Sequence, residues 1–189
     1  DTGVHIWRMA DYAATLAQAL GWSADQVELL RLAAPMHDSG KIGIPDSILK
    51  APRKLTDEEW TIMRRHTTIG YEILSKGHTP LFQLAAEIAH YHHEKWDGSG
   101  YPHNLSGEDI PISARVVAIA DVLDALTMRR PYKEAWTIDA ALDEIRCSSG
   151  QHFDPQLISI LNEVEPQIRN IKDKWDKKED QIEELPYQH

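Results

Sequence analysis

The chain has 189 residues, of which 42% are hydrophobic and 26% charged, and it carries a formal net charge of −10. That length and balance suit one globular domain with a substantial core. A single cysteine, Cys147, excludes an internal disulfide framework, the charge argues against a nucleic-acid polymer as partner, and no apolar run nears the roughly 20 residues of a membrane span.

Asp1-Thr2-Gly3-Val4-His5 shows neither an initiating methionine nor a basic-then-apolar leader, so the chain reads as cytoplasmic and as a piece of a longer protein. Taken in chain order, its punctuation is helical. Gly21 closes a first helix, and Val27-Glu28-Leu29-Leu30-Arg31-Leu32 repeats apolar residues at three- and four-residue spacing. Asp38 to Leu55 is rich in Gly, Pro, Asp and Ser and reads as irregular. Thr56 with Glu59 then makes a capping box, and Thr79-Pro80 pairs an N-cap with proline at the first helical position. Trp96 to Pro111 is a second irregular stretch, after which Val116-Val117-Ala118-Ile119-Ala120 predicts a helix apolar on every side. Asp154-Pro155 opens a helix over Leu157-Ile158-Ser159-Ile160-Leu161.

Beyond Pro166 the chain is highly charged, yet Ile168, Ile171, Trp175, Ile182 and Leu185 keep a broken apolar seam. That seam predicts a last helix docked on the domain, with a coiled-coil contact as the alternative. Extended alternating runs of β-branched residues are missing. The expectation is therefore an all-α fold, a single compact domain of about seven helices over residues 1–165, followed by a charged helix or tail over 166–189.

Chemistry concentrates at a few polar residues in apolar surroundings. His37-Asp38 stands where a Leu- and Ala-rich helix runs into Ser39-Gly40, with Lys41 next. An unpaired carboxylate buried there would be costly, and at a terminal turn both side chains can converge on one ion, with Asp supplying two oxygens. Taken alone, such a pair is weak evidence. Asp121 interrupts the apolar helix and needs a positive partner, either a buried Arg or Lys or a cation. His92 follows Leu81, Ala85 and Ile88 at helical spacing and has His93 beside it. Together with His5 and His66 these residues form a set of imidazoles and carboxylates suited to Fe, Mn or Zn.

With these residues in view, the sequence resembles the HD-GYP phosphodiesterases, a subgroup of the HD hydrolase superfamily, over roughly residues 1–165. The resemblance rests on His5-Ile6-Trp7-Arg8, His37-Asp38-Ser39-Gly40-Lys41-Ile42-Gly43, the His66 helix, His92-His93-Glu94, Asp97-Gly98-Ser99-Gly100-Tyr101-Pro102, Asp121 and Arg130-Pro131-Tyr132-Lys133. It implies an HD-domain-like fold and a metal-dependent hydrolase that cleaves cyclic di-GMP to linear pGpG and onward to GMP. It further implies that His5, His37, Asp38, His66, His92 and Asp121 ligate a two-metal centre with Asp38 bridging, and that His93 serves a third metal. Asp1 stands where three-metal relatives carry a glutamate, one methylene longer. The metals expected are two or three divalent ions, Fe or Mn first and Zn, Ni, Co or Mg as alternatives.

Two such cations can clamp a phosphodiester and activate water near neutral pH. Lys41 is the candidate to supply a proton or positive charge to the leaving 3′ oxygen, and Asp124, one turn after Asp121, to orient Lys41 or the water. Arg130 and Lys133 match substrate-contacting positions for the phosphates. Gly100 and Tyr101 belong to the loop that the resemblance assigns to the site entrance and to diguanylate-cyclase partners, and Tyr101 and Trp96 are candidates to stack on guanine. Arg8 is expected to hold structure through a buried carboxylate. Glu94 is expected either to fix an imidazole tautomer or to form a surface salt bridge. An N-terminal sensor or receiver domain is the partner expected in the full-length protein.

Three other readings compete. One is an HD hydrolase acting on deoxynucleotides or guanosine tetraphosphate, which Gly100-Tyr101-Pro102 and Arg130 to Lys133 argue against. Another is a phosphodiesterase of hybrid cyclic GMP-AMP. The last is a catalytically silent module that senses nucleotide or binds a partner.

Overall fold

A computed structural model describes residues 3–184. The described residues form ten α-helical segments and three short 3-10 turns, with no sheet. In order these are α1 (Gly3–Ala19), α2 (Ala24–Ala33), α3 (Asp46–Leu49), α4 (Asp57–Arg64), α5 (His66–Leu74), α6 (Pro80–Tyr91), α7 (Ile112–Thr127), α8 (Ile138–Cys147), α9 (Pro155–Glu163) and α10 (Glu165–Glu183).

Ten segments rather than about seven arise from local breaks that composition does not announce. α3 is a single turn within the irregular stretch, and only Arg65 separates α4 from α5. Arg65 itself keeps φ −65° and ψ −14°, close enough to helical that neither Gly nor Pro is needed at the bend. The caps form where the sequence puts them. Thr56 and Glu59 close a capping box, Thr79 and Asp154 each accept a backbone N–H, and Gly21 takes φ +90° just past α1.

α7 is the central helix. It packs against α1, α6 and α8, and its Val116, Val117, Ile119, Ala120 and Leu123 are fully buried, as a helix apolar on every side demands. Around it, Tyr12 and Leu16 of α1, Leu30 of α2, Ile88 of α6, Leu142 and Ile145 of α8 and Leu157 of α9 complete one core.

α10 lies along α1 rather than trailing away. Ile168 is buried, Ile171 packs on the core, and the Trp175 indole N–H donates to Asp11 at 2.7 Å. The apolar seam stops there: Ile182 is 55% exposed, and Leu185 lies outside the described residues. Past Trp175, polar contacts to α1 take over. No described helix is long and apolar enough to cross a membrane.

One close approach sets the position of Asp38. A Cβ on Gly40 would stand 1.8 Å from the His66 carbonyl oxygen, so the 3-10 turn Ser39–Gly43 sits backbone to backbone on the start of α5. Only glycine allows that contact, and it brings Asp38 beside His66.

Candidate metal centre

Four separate elements deliver their polar residues to one point. His37 ends the 3-10 turn Ala34–Met36, His66 begins α5, His92 caps the C-terminus of α6, and Asp121 projects from the middle of α7. Two groupings result whose ligand atoms lie within 4.8 Å of one another: Asp38, His66, His92 and His93, and His37, His92 and Asp121. His92 belongs to both.

Hydrogen bonds fix which nitrogen each ring presents. His37 Nδ1 lies 2.7 Å from the Ala34 carbonyl, His66 Nδ1 2.7 Å from that of Met63, and His92 Nδ1 3.0 Å from that of Ile88. A carbonyl only accepts, so each Nδ1 carries the proton and each Nε2 turns a lone pair inward. All three Nε2 atoms are buried without a hydrogen-bond partner. Three orphaned lone pairs beside two carboxylates would be costly unless a cation completes them. The donor set fits divalent metal ions.

Asp38 addresses several rings at once. Its Oδ2 is 3.2 Å from His37 Nε2, and its Oδ1 is 3.6 Å from both His66 Nε2 and His92 Nε2. His37 Nε2 is also 3.4 Å from Asp121 Oδ1. These spacings are within ion-pair reach, although their angles leave Nε2 without a hydrogen bond, and the orphaned lone pair is the sounder description for a ring locked through Nδ1. With protein groups alone, the two carboxylates draw a second proton onto His37, in the place that a metal ion would take. Burial disfavours charge on His37, yet Asp121 and Asp38 outweigh it and raise the ring well above the ordinary histidine range. Burial likewise opposes the charges of Asp38 and Asp121, and His37 nevertheless holds both carboxylates low. The pocket calls for positive charge. His93 is driven down to about 2 by burial and by neighbouring His92 and His66, so its ring stays neutral.

His5 is held differently. It lines the same cavity as His37, Asp38, His93 and Asp121, but its Nε2 lies 3.2 Å from Glu179 on α10 and its Nδ1 2.9 Å from an Arg8 guanidinium nitrogen. The guanidinium only donates, which makes Nδ1 the acceptor and Nε2–H the donor to Glu179. Here His5 is not a free lone pair. Asp1 lies outside the described residues.

The remaining candidates divide. Lys41 reaches Asp38 Oδ2 at 3.0 Å and lines the cavity together with Arg130. Lys133 lines an adjoining open cleft with Lys41, Arg130 and Glu179. Asp124 does not orient Lys41: its Oδ1 accepts from Arg8 Nε at 2.6 Å, because one turn along α7 carries it to the α1 side. Arg8 is therefore the structural cation expected, and it also reaches Asp176 of α10 at 3.0 Å.

Glu94, 2% exposed, neither fixes a tautomer nor sits at the surface. Its carboxylate accepts the backbone N–H groups of His103 and Leu105 and so folds the loop after it. Gly100 packs inside that loop, where a Cβ would stand 2.4 Å from the His93 carbonyl oxygen, and its role is close fit rather than access. Tyr101 stacks on His93 at 4.9 Å and 15°, and the Arg64 guanidinium lies 5.3 Å from its ring, so little of Tyr101 is left for a base. Trp96 is likewise flanked by Arg115 at 5.8 Å. His103 Nε2 lies 3.0 Å from His90 Nε2. Glu179 is the contact that sequence alone does not reveal, since it looks like one more charge on a charged helix.

A helical domain built around inward-facing imidazoles and carboxylates defines a metal-dependent hydrolase type of site. A family profile described as "HD domain" matches residues 5–157, and the chain belongs to that family. It is 49% identical over 170 residues to the cyclic di-GMP phosphodiesterase response regulator RpfG of Xanthomonas campestris, covering 90% of this chain and 45% of that protein. It is 48% identical over 163 residues to the 3'3'-cGAMP-specific phosphodiesterase 2 of Vibrio cholerae, covering 86% of this chain and 31% of the relative. The chain thus spans a third to a half of the length of these curated relatives. Among solved structures, a V. cholerae cyclic GMP-AMP-specific phosphodiesterase superposes with TM-score 0.70 at 20% identity, covering 92% of this chain and 47% of that one, which speaks to the fold.

Proposed function

We propose that this chain is the catalytic part of a metal-dependent phosphodiesterase that hydrolyses cyclic di-GMP to linear pGpG. The observation that carries the reading is the trio of buried, partnerless Nε2 atoms of His37, His66 and His92 facing Asp38 and Asp121. The names of the relatives at 48% and 49% identity supply the substrate class. Since one of those names specifies the hybrid cyclic GMP-AMP dinucleotide, that molecule is the second substrate to test.

In this reading His37, Asp38, His66, His92 and Asp121 hold two divalent cations, Fe or Mn first, and His93 adds a ligand on the side of His66. Bound cations supply polarisation of the phosphoryl oxygens and activation of water near neutral pH. The chain's own residues do the rest. Arg130 and Lys133, which are exposed, offer cationic donors to the phosphates. Lys41 is close enough to the Asp38 carboxylate for its ammonium to donate toward the departing 3′ oxygen. A cytoplasmic setting, an upstream sensor or receiver domain, and a diguanylate-cyclase contact at Gly100-Tyr101-Pro102 complete the proposal.

The test is metal quantification on the purified chain during turnover of cyclic di-GMP, with the products separated by chromatography. About two metals per chain and linear pGpG are expected. One metal or none, with the cyclic dinucleotide intact, would instead leave a silent binding module. Lys41→Ala is expected to keep its metal and lose on the order of 100-fold in kcat. Metal loss in that variant would contradict the division of labour.

A further inference from the structure

α4 presents a face that the metal chemistry does not use. Asp57, Trp60 and Arg64 recur at three- and four-residue spacing, share one side of the helix, and line a cleft of about 510 Å³ together with His93, Lys95 and Tyr101. His93 is the one residue common to this cleft and to the cavity lined by Lys41 and Arg130, so the cleft opens on a second flank of the metal centre.

Each of the three side chains is available. Trp60 is 45% exposed, so much of the indole is open to solvent. Arg64 lies over the Tyr101 ring at 5.3 Å and makes no ion pair among the described residues, so its N–H edge remains free while its face is held. Asp57 makes no side-chain ion pair among the described residues either, whereas neighbouring Glu59 is consumed by Arg53 and by the Thr56 cap.

We propose that Asp57, Trp60 and Arg64 form a guanine-reading subsite, which binds one base of a cyclic dinucleotide while a phosphate occupies the metal centre. This rests on the phosphodiesterase reading. The chemistry is specific to guanine. A guanidinium matches the O6 and N7 acceptors through two parallel hydrogen bonds, a carboxylate accepts from N1–H and the N2 amino group, and an indole stacks on the ring. Adenine presents an amino donor where Arg64 needs an acceptor, and a bare N1 where Asp57 needs a donor. Both edges are then mismatched. One guanine satisfies the subsite, so cyclic di-GMP and cyclic GMP-AMP qualify and cyclic di-AMP does not.

The test uses the Mn²⁺-loaded chain and slowly hydrolysed phosphorothioate analogues of cyclic di-GMP and cyclic di-AMP, with binding measured by calorimetry. Wild type should prefer the guanine analogue. Asp57→Asn and Arg64→Gln should each weaken guanine binding about tenfold and change adenine binding by less than about twofold. Arg64→Lys keeps the charge but not the two-pronged geometry, and should lose the preference as fully as Arg64→Gln. Trp60→Leu should weaken both ligands, since stacking tolerates any base. An unchanged guanine-to-adenine ratio in Asp57→Asn and Arg64→Gln, a preference kept by Arg64→Lys, or binding of neither analogue overturns the subsite. Turnover is scored separately. Hydrolysis with an unaltered ratio sinks the subsite and leaves the phosphodiesterase, whereas selective binding without linear product does the reverse.

Discussion

Asp38→Asn should strip the protein of metal and of activity while leaving the fold in place. The substitution keeps the size of the side chain but removes the charge that faces three imidazoles at 3.2 to 3.6 Å. Loss of a partner that only orients a ligand costs about 10–100-fold in metal affinity or activity. Asp38 approaches the rings directly, so turnover should fall by well over ~100-fold. Elemental analysis should give less than half the wild-type metal. The metal-free melting temperature should barely move, because Asp38 is a third exposed (34%) and fills no part of the core, whereas the rise in melting temperature on adding Mn²⁺ should vanish. A variant that still takes up its full metal content would show that the carboxylate serves another purpose.

Arg8→Met should be among the most destabilising changes on the surface of α1 that faces the site. The guanidinium is 1% exposed and holds Asp124 at 2.6 Å and Asp176 at 3.0 Å. Removing one member of a buried pair leaves the other uncompensated, a loss of about 3–5 kcal/mol. For a chain of this length that lowers the melting temperature by roughly 10 °C.

The loss should depend on pH in a definite sense. Burial pushes the Asp124 carboxyl up to about 6 against the pull of Arg8. Above that value the carboxylate is charged and the ion pair is at stake. As the pH falls through about 6, the carboxyl takes a proton and the coupling to Arg8 disappears. Melting curves at pH 8 should therefore separate wild type from Arg8→Met more than curves at pH 5, and an equal gap at both would mean that packing of the guanidinium stem carries the effect. Arg8→Met combined with Asp124→Leu should recover much of the loss, since apolar replacement of a buried pair is often neutral.

The clustered imidazoles and carboxylates were legible because they are chemically out of place. An aspartate directly after Val116 to Ala120 and histidines on an apolar stripe break a pattern that burial otherwise enforces, and such breaks stand out in a linear string. Caps were legible for the same local reason, since Thr56 and Glu59 need only each other. Partners were not. Nothing near Asp124 announces Arg8, 116 residues away, which takes up its carboxylate. Glu94 looks like any surface acid until the loop folds back and offers two N–H groups. Tyr101 reads as a free aromatic until His93 and Arg64 cover it. The segment count failed at Arg65, where a bend forms without a breaker.

α10 changes what counts as the working unit. Its 19 residues make a rod about 28 Å long that begins two residues beyond α9 and carries Trp175, Asp176 and Glu179 back to α1. The stretch that defines family membership ends at residue 157, before this rod starts. Dissection of the protein at that boundary would keep every imidazole of the cluster and discard the braces of His5 and Arg8. A piece cut at residue 157 should therefore melt lower than the longer chain, because Arg8 loses Asp176 and His5 loses Glu179.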